Sequence, residues 1–159
     1  MQNVKIITVG SLKETYLKEA TAEYSKRLSR FCKLQIIELK ESSVPESPSQ
    51  KEIGSALCEE SEKILALVPP QAELIALCVE GKQMSSEQLA ERIESSALKT
   101  SDLVFVIGSS HGLSEKVKMR ADLRLSISMQ TFPHQLMRVI LLEGIYRSYN
   151  IINGTKYHK

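Results

Sequence analysis

The sequence of 159 residues has no tryptophan, few prolines and glycines, and only three cysteines. Cys32, Cys58 and Cys78 are an odd number without C-x-x-C spacing, which argues against a disulfide framework and against a zinc site. No apolar run approaches the ~20 residues that cross a bilayer. The first residues lack the charged and apolar regions of a secretory signal, so we expect a reducing, cytoplasmic setting.

The composition is that of an ordinary globular protein, with 42% hydrophobic and 25% charged residues. A chain of about this length buries roughly 70% of its unfolded surface, which suits a single domain over residues 1–159. The net charge of +2 is too small to require a polyanionic partner. Its distribution is uneven, because residues 1–115 carry 13 basic and 17 acidic side chains while residues 116–159 carry 8 and 2. Such a basic segment is typical of contact with phosphates, and equally of a solvated surface.

Short apolar runs alternate with helical patterns along the chain. The runs predict strands at 4–9, 34–39, 74–79, 102–107 and 123–127. The helical patterns predict helices at about 12–30 and 49–67, one from 85, a short one from 114, and one at 133–149. This alternation predicts an α/β fold with a mainly parallel sheet and helices on both faces.

Three loops are candidates for ligand binding, because ligands of open parallel sheets lie beyond the carboxyl ends of the strands. These loops follow Leu77, Ile107 and Ile127. The second begins at Gly108 and reaches Gly112 before the next helix. Glycine at both ends lets the backbone turn tightly and approach a ligand closely.

The loop after Ile107 also contains the pattern G-x-S-x-G, with Ser110 at its centre, in the strand–turn–helix context of a serine hydrolase. A hydrolase would need an acid and a histidine downstream, and the candidates are Asp122 with His134 or His158. Two observations count against it: the chain is short for that fold, and Asp122 comes only twelve residues after Ser110. Serine hydrolysis is one alternative function.

The segment 126–134 alternates small hydroxyl residues with apolar ones and ends at Pro133, which a first helical turn tolerates. Its backbone can hydrogen-bond a planar heterocycle while Ile127, Met129 and Phe132 supply apolar walls. We expect His134, in the first helical turn, to be a structural hydrogen-bonding residue.

The last helix and the terminal residues point to partners. The helix at 133–149 is apolar on more than one side, which predicts a helix-mediated homodimer, with deep burial inside one chain as the alternative. In the terminal segment 156–159, Tyr157 is flanked by basic residues and His158. Such a segment can stack on a base and contact phosphate, although a frayed terminus is the default. The histidines lack metal-ligand spacing, and no metal is expected.

Three motifs occur together in the last third: Ile107-Gly108-x-x-x-Gly112-Leu113, then Ser126-x-Ser128-x-x-Thr131-Phe132-Pro133-His134-Gln135-x-Met137-Arg138, and the terminal Tyr157-His158-Lys159. With them, essentially the whole chain resembles the ribosomal large subunit methyltransferase H family of the SPOUT superfamily. That family usually has a second glycine where this chain has Ser109. The resemblance makes the G-x-S-x-G match a coincidence.

The resemblance implies an α/β fold whose C-terminal part is threaded into a trefoil knot, a rare exception to ordinary chain topology. It implies a homodimer that binds S-adenosylmethionine in the knot. It also implies methylation of N3 of a pseudouridine in helix 69 of 23S rRNA, with the assembled 70S ribosome as substrate. Carried over by position, the cofactor-binding residues are Leu77, Gly108, Ile127, Ser128, Met129, Gln130, Thr131 and Phe132.

The chemistry of this reaction suggests three catalytic candidates, because an N3 imide is a poor nucleophile while it is protonated. His158 is the predicted base or proton relay, Arg138 the predicted electrostatic stabiliser, and Tyr157 the residue that helps to place the base. A nucleotide-binding module that recognises RNA without chemistry is a further alternative. It predicts RNA binding without turnover of the cofactor.

Overall fold

The computed structural model describes all residues, 1–159. Strands and helices alternate as β1 (Gln2–Val9), α1 (Thr15–Leu28), β2 (Cys32–Leu39), α2 (Gln50–Ala66), β3 (Glu73–Gln83), α3 (Ser86–Ala97), β4 (Asp102–Ile107), α4 (Glu115–Arg120), β5 (Leu123–Ser126) and α5 (His134–Ile152). Every predicted element is present. The bounds differ by a few residues, and most at β3, which continues four residues beyond its predicted end.

The five strands form one parallel sheet in the order β2-β1-β4-β3-β5, which confirms the predicted fold class. One core cluster lies between the sheet and α1, α3 and α5, and a second involves α2 and α4 on the other face. The central strand β4 is therefore covered on both sides, which explains its uninterrupted apolar sequence. The trefoil knot implied by the resemblance stays a prediction.

β3 is interrupted where it runs beside β5. Leu77 pairs with Leu125, and after a register shift Lys82 lies opposite the same residue, so residues 78–81 leave the ladder. Gly81 allows β3 to pair with β5 again after the bulge, because a Cβ at this position would lie 2.7 Å from backbone atoms of Arg124. The sequence pattern did not predict this bulge, since the apolar run stops at Val79.

α5 packs against both α1 and α3. Leu141, Leu142 and Ile145 are fully buried by this packing, so burial within the chain accounts for much of the apolar surface of α5. Leu136 remains exposed. The homodimer stays a prediction that rests mainly on the family resemblance. No helix, α5 included, has both the length and the apolarity needed to cross a membrane.

α3 begins with a capping box, for which Ser85 and Gln88 have the required spacing of three residues. Ser85 Oγ accepts a hydrogen bond from Gln88 N at 3.1 Å, and Gln88 Oε1 accepts one from Ser85 N at 2.9 Å. We expect Ser85→Ala to lower the free energy of unfolding by about 1 kcal/mol in urea denaturation. Ser86→Ala, next to it and without a side-chain hydrogen bond, should stay within about 0.5 kcal/mol. Equal losses in the two variants would contradict the cap.

Candidate functional site

A cavity of about 530 Å³ lies beside the bulge in β3 and at the carboxyl ends of β4 and β5. The bulge, the loops that follow β4 and β5, and the first turn of α5 form its walls. Its size is in the range of small-molecule binding sites. The apolar part of the wall consists of Leu77, Cys78, Val79, Ile107, Leu113, Leu125, Ile127, Phe132 and Met137.

The cavity brings together the three segments that the sequence marked as ligand-binding loops, although the first of them, after Leu77, is a bulge within β3 and not a loop. Seven of the eight predicted cofactor-binding residues line it, namely Leu77, Gly108, Ile127, Ser128, Gln130, Thr131 and Phe132. Met129 does not line the cavity and is 80% exposed. The roles of these residues in cofactor binding stay predictions, but their positions form one continuous surface.

Gly108 allows the closest approach of two backbone segments at this site. A Cβ at this position would lie 2.3 Å from Gly112 O and 3.0 Å from Leu113 Cδ2, so no larger residue fits without moving the loop. Ser109 and Gly112 form a short antiparallel bridge across the loop. Gly112 has a φ of +84°, whereas Ser109 needs no positive φ. The serine in place of the family's second glycine is therefore accommodated without backbone strain.

The hydroxyl residues after β5 shape their own loop. Ser126 Oγ donates to Ser128 O at 3.0 Å, and Ser128 Oγ accepts from Gln130 N at 3.0 Å. These bonds fold the backbone into a tight turn before Pro133. The alternation of hydroxyl and apolar residues thus produces a loop that is held by its own side-chain hydrogen bonds, with Ile127 and Phe132 at the cavity and Met129 exposed.

One end of the cavity carries an ion pair that the sequence analysis missed. Lys118 Nζ on α4 lies 2.6 Å from Glu80 Oε1, and both residues line the cavity. The hydrogen bond from Lys118 lowers the pKa of Glu80, and the same bond raises the pKa of Lys118. Glu80 reaches Lys118 from the bulge at residues 78–81 of β3, and no sequence motif predicts this bulge.

The residues of the alternative hydrolase do not assemble into a triad. Ser110 Oγ donates to Glu41 Oε1 at 3.3 Å instead of to a histidine. The carboxylate of Asp122 accepts hydrogen bonds from Leu74 N at 2.8 Å and from Arg120 at 3.3 Å. The structure therefore lacks the nucleophile–base–acid relay that serine hydrolysis needs.

The predicted catalytic residues do not line the cavity of their own chain. Arg138 is 4% exposed, and its guanidinium pairs with Glu38 at 2.9 Å. Tyr157 donates to Glu143 Oε2 at 2.8 Å, and burial is the main cause of the raised pKa of its hydroxyl. The predicted catalytic roles of Arg138 and Tyr157 therefore require that these residues act from a distance, or at the cavity of a different chain.

Both ring nitrogens of His158 are occupied. Nε2 lies 2.7 Å from Glu87 Oε1, and Nδ1 lies 3.2 Å from Arg147 Nη1. The hydrogen bond to His158 lowers the pKa of the Glu87 carboxyl. Arg147 comes thirteen residues after His134, where α5 meets the cavity, which corresponds to about 20 Å along the helix axis. The terminal segment therefore folds back along α5 without reaching the cavity of its own chain.

Comparison with known proteins agrees with this architecture. A family model described as "Predicted SPOUT methyltransferase" matches residues 2–158. The chain is 50% identical over 158 residues to a protein from Clostridioides difficile (strain 630) named Ribosomal RNA large subunit methyltransferase H, with 99% of each chain covered. A protein of the same name from Streptococcus thermophilus (strain CNRZ 1066) is 51% identical over 157 residues, which are 98% of this chain and 99% of that protein.

A solved structure shares the fold at low sequence identity. It is that of a probable methylase family protein from Haemophilus influenzae Rd KW20, with a TM-score of 0.58 and 12% identity. The match covers 99% of this chain and 71% of the other.

Proposed function

Because the chain belongs to the SPOUT methyltransferase family, we propose that it transfers a methyl group from S-adenosylmethionine to N3 of a pseudouridine in helix 69 of 23S rRNA, within the assembled 70S ribosome. The observation that carries this proposal is the cavity formed by the bulge in β3 and the carboxyl ends of β4 and β5, lined by seven of the eight residues that match the family's cofactor positions. The names of relatives about half identical over the full chain support ribosomal RNA as the substrate.

The cavity suits S-adenosylmethionine by volume and by the chemistry of its walls. Ile127 and Phe132 offer apolar surface to an adenine ring, while the backbone of the loop after β5 offers hydrogen bonds to its edge. Gly108 lets the backbone of Gly112 pack closely against it, which fixes the shape of the loop that forms one wall of the cavity. When bound, the cofactor supplies an electrophilic methyl group on its sulfonium.

Cys78 gives a test of the cofactor site that does not depend on activity. Burial is the main cause of the raised pKa of its thiol, and the residue lines the cavity, whereas Cys58 is exposed on α2. We expect iodoacetamide to label Cys58 first. Cofactor at about ten times its dissociation constant fills roughly nine-tenths of the cavities and should slow labelling of Cys78 about tenfold.

Labelling is measured by mass spectrometry of peptides at mildly alkaline pH. Cys58 is the internal control, since its labelling rate should not respond to the cofactor. Equal labelling of Cys78 with and without cofactor would contradict cofactor binding in this cavity.

The chain's own groups have two tasks in the proposed reaction. The walls of the cavity hold the reacting groups in line, which is the first requirement for a displacement at carbon. A base must remove the proton from N3, and we keep His158 for this role, with Tyr157 placing it. Arg138 is neutralised by Glu38, so we assign it no direct contact with the substrate.

The position of the terminal segment supports a composite site. His158 lies along α5 and outside the cavity of its own chain. In a homodimer, the terminal segment of one protomer can serve the cavity of its partner. We therefore propose that each active site combines the cavity of one chain with Tyr157 and His158 of the other.

Methyl transfer to three forms of the substrate tests the proposed function. Ribosomes that lack the modification, their separated subunits and naked 23S rRNA are each incubated with the protein and cofactor labelled in the methyl group. We expect label in whole ribosomes only. Label on none of them, together with binding to RNA, would favour a non-catalytic RNA-binding module.

A further inference from the structure

Arg138 is held by three acceptors at the carboxyl ends of β1 and β2. Its Nη1 lies 2.9 Å from Glu38 Oε2, and its Nη2 donates to Thr8 Oγ1 at 3.0 Å and to Gly10 O at 3.4 Å. Its Nε has no hydrogen-bond partner. A guanidinium buried this deeply needs a counter-charge, and Glu38 is the carboxylate that supplies it.

The same carboxylate fastens the loop between β1 and α1. Glu38 Oε2 accepts a hydrogen bond from Leu12 N at 3.3 Å. One residue further along this loop, Lys13 N donates at 3.1 Å to Gln135 Oε1 on the first turn of α5. The loop and the first turn of α5 are thus tied to each other and to the end of β2.

The first turn of α5 is also a wall of the cavity. Pro133, His134 and Met137 line it. Gly10 has a φ of +106°, and a Cβ there would lie 3.0 Å from His134 Nε2, so the loop backbone is in close contact with the imidazole. A shift of the loop would therefore shift this wall.

We infer that Glu38 is a positioning residue for the cofactor cavity. Through Arg138 and the loop at residues 10–13, it fixes the first turn of α5 against the bound cofactor. The inference rests on the proposed function for the identity of that ligand. Glu38 itself does not line the cavity, so its contribution is geometric.

Three variants distinguish a role of Glu38 in positioning the cavity wall from a role in the stability of the fold alone. Glu38→Gln and Arg138→Met each remove one partner of a pair that includes a buried charge, so both should lower stability whatever the role of the pair. The double variant removes both charges and should recover stability, while the loop loses the hydrogen bond that Arg138 donates to Gly10 O and its tie through Arg138 to the end of β2. Glu46→Gln is the matched control, because Glu46 is exposed and has no side-chain partner.

Calorimetric titration with S-adenosylmethionine gives the first readout, at a temperature where every variant is folded. We expect Glu38→Gln and the double variant to bind the cofactor at least about tenfold more weakly than the unmodified protein. A tenfold change in affinity corresponds to about 1.4 kcal/mol of binding free energy. Glu46→Gln should bind like the unmodified protein. A double variant that binds as tightly as the unmodified protein would overturn the inference.

Hydrogen exchange of the cofactor-free proteins gives the second readout. In the double variant, the amides of residues 137–140, whose hydrogen bonds close the first turn of α5, should exchange at least about tenfold faster, while those of α2 stay unchanged, because the effect is local opening. Unchanged exchange at 137–140 would overturn the inference. If the unmodified protein binds no S-adenosylmethionine, the proposed function fails, and hydrogen exchange alone decides the role of Glu38.

Discussion

Gly108→Ala is expected to lower methyl transfer by at least about 100-fold, because displacing a site by about 1 Å has effects of that size. The added methyl group would lie 2.3 Å from Gly112 O and 2.6 Å from Gly112 C, both backbone atoms. The loop after β4 must therefore move, and it forms one wall of the proposed cofactor cavity. Cofactor affinity, measured by calorimetry, should fall together with turnover.

The chain offers a matched control for this substitution. A Cβ added at Gly54, on α2, meets nothing within 4 Å. Gly54→Ala should leave turnover and cofactor affinity unchanged and should raise the free energy of unfolding by about 1 kcal/mol, since alanine is the better helix former. If Gly108→Ala kept full cofactor affinity and full turnover, the cavity would not be the cofactor site.

His158→Ala should reduce turnover by about 10²- to 10⁴-fold, which is the usual contribution of a positioned acid or base. Cofactor affinity should be nearly unchanged, because His158 does not line the cavity. Steady-state kinetics on ribosomes and calorimetry with the cofactor separate the two quantities. Lys99→Ala, an exposed truncation between α3 and β4, is the control and should behave like the unmodified protein. Unchanged turnover in His158→Ala would refute its role as base.

Mixing the two inactive variants tests which cavity His158 serves. A heterodimer of Gly108→Ala and His158→Ala chains contains one intact cavity and one intact terminal segment, on different chains. If the terminal segment serves the partner's cavity, this heterodimer has one complete site, and the mixture regains activity after subunit exchange. If each segment serves its own cavity, both sites are defective and the mixture stays inactive.

The location of the candidate site could be predicted from the sequence, because it depends on local patterns. Apolar runs identified the strands, and the rule that ligands bind at the carboxyl ends of parallel strands identified the loops. The segments after Leu77, Ile107 and Ile127 do meet at one cavity, although the first is a bulge within β3 and not a loop. The capping box at Ser85 was predictable for the same reason, since its two residues are three apart.

The polar contacts of the site could not be predicted, because they join distant parts of the chain. The pairing of Arg138 with Glu38 spans 100 positions and depends on how α5 crosses the sheet. The pairing of Glu80 with Lys118 depends on the bulge in β3, which the apolar pattern does not encode. A basic residue in a basic segment suggests an exposed side chain, whereas tertiary packing buries Arg138 and pairs it with Glu38.

Identification of the methylated nucleoside tests the central claim most directly. Ribosomes that lack the modification are treated with the protein and S-adenosylmethionine, and the nucleosides of helix 69 are analysed by mass spectrometry. We expect N3-methylpseudouridine with the unmodified protein and with Gly54→Ala, and only a trace with Gly108→Ala. A methyl group at another atom or outside helix 69, or equal product with Gly108→Ala, would contradict the claim.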